Sequence, residues 1–482
     1  MVTSRLLKKT LLFTVLGFIP VASQLILAPL FTRYLSKYEY GVITLCNIFA
    51  SYAGILIGLG FDSAFSIFYF HFSRKPKWLN KLISTVILSI LGFTLLALLI
   101  FLIGGDHLFA YFGADDYFTF TRFGIPVLFT TLTSVVVSVL QSYFRNSENL
   151  KLYSIVSVGV FVFAVTGQLI GLIAYNAGAG GIVNGRMIGA LLATLIILIY
   201  IFSNFKLQFN FNLFKKCLAY GYPMAAYGLI GVAFDNIDKL SIERFFGKDA
   251  LGIYGVAFLV ASVLELIRTS FVITINPDVY RNIEDKSPGA LNKISSSIRF
   301  FCVSSVIGMC LLLAISWPVF TIFINSKFHN ALLFLPLLFL GVLPKIYYTY
   351  FAMPLFYFKR TKALAIVNLI ALAAGWLYVE IVKGSLGVFG LCAVVFVVKI
   401  IQCLGVYFYS RKYEMKVRFG FSLLGKDGVI IWIAALCLAV AVCLMLLYPA
   451  YIMYINCIPL VAVFYAAFLF LKRRKPALFR RA

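Results

Sequence analysis

Six ionisable residues stand in stretches of sequence that are otherwise apolar. Four are cations, Arg186, Arg268, Lys345 and Lys399, and two are acids, Asp235 and Asp238. A charge at the centre of a hydrocarbon layer costs about 2.5–3.5 kcal/mol on insertion scales, so such residues face a water-filled cavity or a partner. Cations along a wet path would attract an anionic cargo and offset the loss of its water. The acids would pair with the adjacent Lys239, or hold a coupling cation or proton. Spacing qualifies each cation separately. Glu265 precedes Arg268 by one helical turn, which suits an intrahelical ion pair. Arg186 lies about one turn inside the end of its apolar segment, close enough to extend its head group outward. Lys345 and Lys399 sit nearest mid-segment with no acid close by on their own helices, which favours a cavity lining.

The elements that carry these residues follow from composition. Of 482 residues, 62% are hydrophobic and 12% charged, against about 25% charged in soluble domains. Apolar stretches recur end to end, each long enough to cross roughly 30 Å of hydrocarbon. The ten-residue alternation of a membrane barrel is absent, so the spans are helices that satisfy their own backbone hydrogen bonds. They fall near 10–30, 41–60, 82–103, 123–144, 152–174 and 182–202, then 218–238, 252–274, 300–323, 331–357, 363–382 and 386–409, with a last pair at 428–448 and 451–471. The first has no small-residue cleavage site and reads as a span rather than a signal peptide. The expectation is an all-α integral membrane protein of about 14 transmembrane helices.

Charge orients the spans. Lys and Arg collect on the cytoplasmic side, and clusters such as Arg74-Lys75-Pro76-Lys77, Lys215-Lys216, Lys359-Arg360, Arg411-Lys412 and Lys472-Arg473-Arg474-Lys475 alternate with poorly charged connections. With the N-terminus inside, about 30 of the basic residues fall in cytoplasmic segments. Both termini are then cytoplasmic, and the net charge of +25 is an orientation signal rather than a nucleic-acid footprint.

An internal repeat divides the chain. Arg33, Lys37, Gly41 and Ala50-Ser51 align at one fixed offset with Arg244, Lys248, Gly252 and Ala261-Ser262, and Lys151 and Ile155-Val156 with Lys362 and Ile366-Val367. The offset spans six helices, an even number, so the two halves share one orientation and relate by an axis along the membrane normal. The expected organisation is a six-helix lobe over 1–211, a second over 212–422, and two further helices with a basic tail over 423–482. A substrate path would run between such lobes.

Several chemistries are disfavoured. The nine cysteines show no metal-ligand spacing and read as buried thiols. His71, His107 and His329 lie in short loops or at span edges. No pair of carboxylates shares an identifiable outer pocket, the longest outer loop is too short for a catalytic domain, and Asp115-Asp116 within it reads as a solvated turn. The glycines from Gly178 to Gly185 follow no strand and lack Gly-Lys-Ser/Thr, so they form no P-loop. No cofactor is expected.

Two stretches resemble a known family: Pro29-Leu30-Phe31-Thr32-Arg33-Tyr34-Leu35-Ser36-Lys37-Tyr38-Glu39-Tyr40-Gly41, and Tyr220-Gly221-Tyr222-Pro223 with Asp238-Lys239, Gly247 and Gly252-Ile253-Tyr254-Gly255-Val256-Ala257. Both look like signatures of the polysaccharide-biosynthesis flippases, the Wzx-type translocases of the multidrug/oligosaccharidyl-lipid/polysaccharide exporter superfamily. Lys239 departs from the Arg common in related sequences; it keeps the charge without the bidentate fork. The resemblance implies two lobes of the MATE/MOP-like kind, V-shaped and alternating in access, in a bacterial inner membrane. It implies as cargo an oligosaccharide repeat unit on undecaprenyl pyrophosphate, moved from the cytoplasmic to the periplasmic leaflet. It extends to a polysaccharide polymerase and a chain-length regulator as partners. A cation-coupled drug antiporter of the same superfamily would favour an acidic cavity, whereas the ionisable set here is net basic. A peptidoglycan-precursor flippase would need the same basic cavity, and a membrane glycan polymerase or transferase would need catalytic groups.

Overall fold

The computed structural model describes residues 24–284, 290–357, 361–384, 387–412, 428–448 and 451–461. Most of the predicted first span, much of the last, Lys359-Arg360 and the basic C-terminal clusters lie outside the described residues. Everything regular among the described residues is helical. The helices are α1 (24–34), α2 (Lys37–Gly58), α3 (Phe61–Phe72), α4 (Pro76–Ala110), α5 (Ile125–Asn146), α6 (Leu150–Leu169), α7 (Gly178–Asn204) and α8 (Phe211–Glu284). They continue as α9 (Ala290–Phe323), α10 (Leu335–Tyr357), α11 (Thr361–Val382), the short α12 (Gly387–Cys392), α13 (Val394–Lys412), α14 (Gly428–Leu447) and the short α15 (Ile452–Cys457).

Ten of the described helical stretches are long and apolar enough to cross a membrane. One of them, Phe211–Thr269, has 59 residues, which at about 1.5 Å each is far too long for one crossing. It breaks at Gly247, whose φ of 76° is the left-handed region that glycine enters without penalty. The chain is therefore a multi-pass membrane protein, and its helix number agrees with the predicted fourteen or so.

Local chemistry sets the helix ends. Ser36 and Glu39 form a reciprocal capping box at the start of α2, and Asn149 caps α6 through the Leu152 amide at 3.2 Å. Leu59 and Gly60, both at positive φ, separate α2 from α3, so helix continues to Phe72, beyond the predicted end of span two. Pro126 and Pro336 fall in the first turns of α5 and α10, where no intrahelical N–H is lost. The non-helical breaks inside long helices fall instead at Gly104 and Gly247.

The chain divides into two compact units. The first runs to Asn236 and takes in Gly247–Gly252; the second takes Ile237–Phe246 and the chain from Ile253 onward. In the first unit, Phe49 meets the rings of Phe101, Phe109 and Phe112 edge-on, with centroids 5.2–5.6 Å apart. Its α6 and α7 pack backbone to backbone, because a Cβ on Gly167 or Gly185 would collide with the other's carbonyl, as would one on Gly171 or Gly181. The sequence repeat reappears as a reciprocal contact: a Cβ on Gly41 would strike the Lys248 carbonyl, and one on its counterpart Gly252 would strike that of Lys37. In the second unit, Val398 and Ile237 fill the notch at Gly375, and Val367 fills that at Gly405.

Candidate functional sites

In the second unit, two of the predicted cations come together. Arg268 on α8 grips Glu265 with both arms, Nε to Oε2 at 3.0 Å and Nη2 to Oε1 at 2.5 Å. Its Nη1 donates to Thr349 Oγ1 of α10 at 2.6 Å. Lys345, one turn earlier on α10, places Nζ 3.1 Å from the same Glu265 Oε1. Thr349 closes the arrangement by donating to the Lys345 carbonyl. Two cations therefore share one carboxylate, leaving these three side chains a net charge of +1. The side chains of Arg268 and Lys345 are 13% and 22% exposed, shielded but reachable. The intrahelical pair expected from the spacing of Glu265 and Arg268 is present. Lys345 also has an acid beside it, supplied by α8 rather than by its own helix.

The two predicted acids differ sharply. Asp235 is exposed on α8. Asp238 is 1% exposed; its Oδ2 accepts from the Tyr254 hydroxyl across the Gly247 break, and its Oδ1 has no hydrogen-bond partner. Both residues belong to the second family-like stretch. Lys239 is buried and holds its ammonium 3.6 Å from the centre of the Phe258 ring. Lys399 is buried on α13, one turn before Gln402. Gln402 donates to Asn368 of α11 at 2.8 Å and keeps its own Oε1 unsatisfied.

In the first unit, Arg186 turns inward to α2, where Nη1 donates to Asn47 Oδ1 at 3.4 Å. A separate polar cluster joins four connections of this unit. Lys248, beside the α8 break, donates to Asp115 Oδ2 at 2.8 Å and to the Gly113 carbonyl at 2.5 Å. Tyr38 donates to the same Asp115 oxygen at 2.5 Å. The Asp115 Oδ1 accepts from the Phe118 and Tyr117 amides at 2.7 and 3.0 Å. Glu39 accepts from the Ala179 amide at the start of α7 at 3.2 Å. Burial works against ionisation of Asp115, but the Lys248 ammonium, the Tyr38 hydroxyl and the Phe118 amide outweigh it and hold the carboxyl at about 2. Burial, reinforced by Glu39, pushes the Tyr117 phenol up. Asp115 is therefore not the solvated turn expected from sequence, because a lysine far along the chain completes its shell. The clues were the Ser36-x-x-Glu39 spacing and the Lys37/Lys248 repeat. The cluster sets the connections α1–α2, α4–α5, α6–α7 and the α8 break at one end of this unit.

Residues 30–287 match the model of a family described as polysaccharide biosynthesis protein. No curated protein matches the chain in sequence. Among solved structures, the chain is similar to the lipid II flippase MurJ in an inward closed conformation. The TM-score there is 0.71 at 16% identity, over 96% of this chain and 99% of that one. It is similar to an inward-facing multidrug resistance MATE family transporter of the MOP superfamily, with TM-score 0.65 and 11% identity over 82% and 94% of the two chains. A MOP superfamily transporter from Pyrococcus furiosus gives 0.59 and 14% over 84% and 95%. At these identities the likeness establishes the fold, which is of the MATE/MOP kind expected. The family match covers more than half of the sequence, so the chain belongs to the polysaccharide biosynthesis protein family.

Proposed function

We propose that the chain is a flippase for lipid-linked oligosaccharide repeat units. Its cargo is an undecaprenyl-pyrophosphate-linked glycan, carried from the cytoplasmic to the periplasmic leaflet of a bacterial inner membrane by alternating access. The observation that carries this reading is the Arg268–Glu265–Lys345 arrangement in a member of a polysaccharide-biosynthesis family with a transporter fold. A carboxylate orders two cations and leaves one positive charge over, which suits transient capture of a pyrophosphate. Lys399 and Arg186 are the further cavity cations in this proposal. Asp238, with one buried oxygen unpartnered, is the leading candidate for ion coupling and Asp235 the second. We take 1–211 and 212–422 as the moving lobes, 423–482 as an accessory pair of helices with both termini cytoplasmic, and a polymerase and a chain-length regulator as the downstream partners.

The test is a strain lacking this protein. Its lipid extract, analysed by mass spectrometry, is expected to accumulate full-length lipid-linked repeat units while surface polysaccharide disappears. Complementation with Lys345→Ala or Lys399→Ala is expected to restore polymer poorly at normal membrane abundance. Normal intermediates and polymer with altered drug sensitivity would overturn the reading in favour of an antiporter. Undiminished polymer with both variants would remove the basic cavity.

A further inference from the structure

The glycine packing of α6 and α7 leaves a cavity of about 350 Å³ in the first unit, at the lower end of the ~300–1,000 Å³ of small-molecule sites. Its walls are Gly171, Gly180, Gly181 and Gly185 with the side chains of Ile170 and Ile188. Both isoleucines are at least half exposed, so the cavity opens on an exposed apolar side of the helix pair. Tyr175, 76% exposed, stands at the same end, a common place for an interfacial aromatic.

One charge faces this apolar space. Arg122, in the turn Phe120–Gly124 ahead of α5, lines the cavity. Its guanidinium carbon rests 4.2 Å from the Tyr117 ring centre and 5.7 Å from that of Phe123. A Cβ built on Gly180 would lie 3.6 Å from both Nε and Nη2. The guanidinium makes no hydrogen bond or ion pair among the described residues, so stacking orients it while its donors remain open. An apolar groove at the end of a spanning hairpin, with one oriented cation at its mouth, matches a molecule that is anionic at one end and hydrocarbon at the other.

We propose that this cavity seats an anionic phospholipid, with an acyl-chain segment in the glycine-lined groove between α6 and α7 and the phosphate on Arg122. The size fits a chain segment rather than a glycan, and the site uses none of the residues assigned to transport.

Native mass spectrometry of the purified full chain, with palmitoyl-oleoyl phosphatidylglycerol and phosphatidylcholine at equal concentration, tests this. The wild type is expected to retain phosphatidylglycerol about fivefold over phosphatidylcholine, the scale of one basic residue at an anionic surface. Arg122→Gln is expected to bring the ratio to parity and Arg122→Lys to keep most of it. Gly180→Leu, which fills the groove, is expected to lower retention of both lipids. Equal retention by the wild type, or an unchanged preference in Arg122→Gln, would overturn the proposal. So would displacement of phosphatidylglycerol by millimolar inorganic phosphate, which would mark a small-anion site. Because Arg122 lies at the surface of its turn, its variants remain informative if Gly180→Leu does not fold.

Discussion

Two lysine–carboxylate contacts in this molecule have opposite charge balances. At one end of the first unit, Lys248 meets Asp115 at 2.8 Å, one cation to one acid, with Tyr38 and two backbone amides completing the acid's shell. Within the spans of the second unit, Lys345 meets Glu265 at 3.1 Å, but that acid is already held by Arg268. The Lys248–Asp115 pair is balanced and ties chain connections together. The second carries surplus positive charge in a place where an unbalanced charge is costly, which is why the proposed function assigns it to the cargo. Similar ion-pair geometry thus ties connections together in one unit and, under the proposed function, would supply affinity for an anion in the other.

The sharpest way to break this comparison is Glu265→Gln, which leaves two adjacent cations without their acid. Glu265 is 36% exposed but holds two cations rather than one, so the expected loss is about 1.5–3 kcal/mol, the scale of removing a charged hydrogen-bond partner. Thermal unfolding of the purified protein reads it, and an unchanged melt would mean the two cations do not depend on Glu265. A smaller effect is expected from Gly185→Ala, where a new Cβ meets the Gly167 carbonyl. Backbone must move there, at a cost of about 1–3 kcal/mol. Gly405→Ala in the second unit meets only the Val367 side chain and is expected to melt closer to wild type.

The smallest effect belongs to Asp115→Asn. The acid is 38% exposed, so water screens its pair with Lys248 and the loss is at most about 1 kcal/mol at neutral pH. Its pH dependence is the more telling measurement. The folded pKa of about 2 lies below the ordinary 3.8, so the contribution is complete above the ordinary value and vanishes as pH falls through the folded one. Wild-type stability is expected to lose this component between about pH 4 and 2, and Asp115→Asn to lack it. Equal slopes in the two proteins would show that Lys248 does not hold Asp115 in its charged form.

Sequence by itself determined the membrane class, the approximate helix number, most span positions and the family likeness. Hydropathy is a property of contiguous residues, and a helix satisfies its backbone without help from the rest of the chain. The repeat was legible for the same reason, and its register returned as the Gly41–Lys248 and Gly252–Lys37 contacts. Six candidate charges were also visible, because any ionisable residue inside an apolar run stands out. Only tertiary structure decided their partners. Lys345 had no acid on its own helix, yet α8 brings Glu265 to it; Asp238 sits beside Lys239 in sequence but bonds Tyr254 across a glycine break; Asp115 draws Lys248 from far along the chain. Charges pair through space, and the contacts between helices that set those distances leave no periodic trace in any one segment.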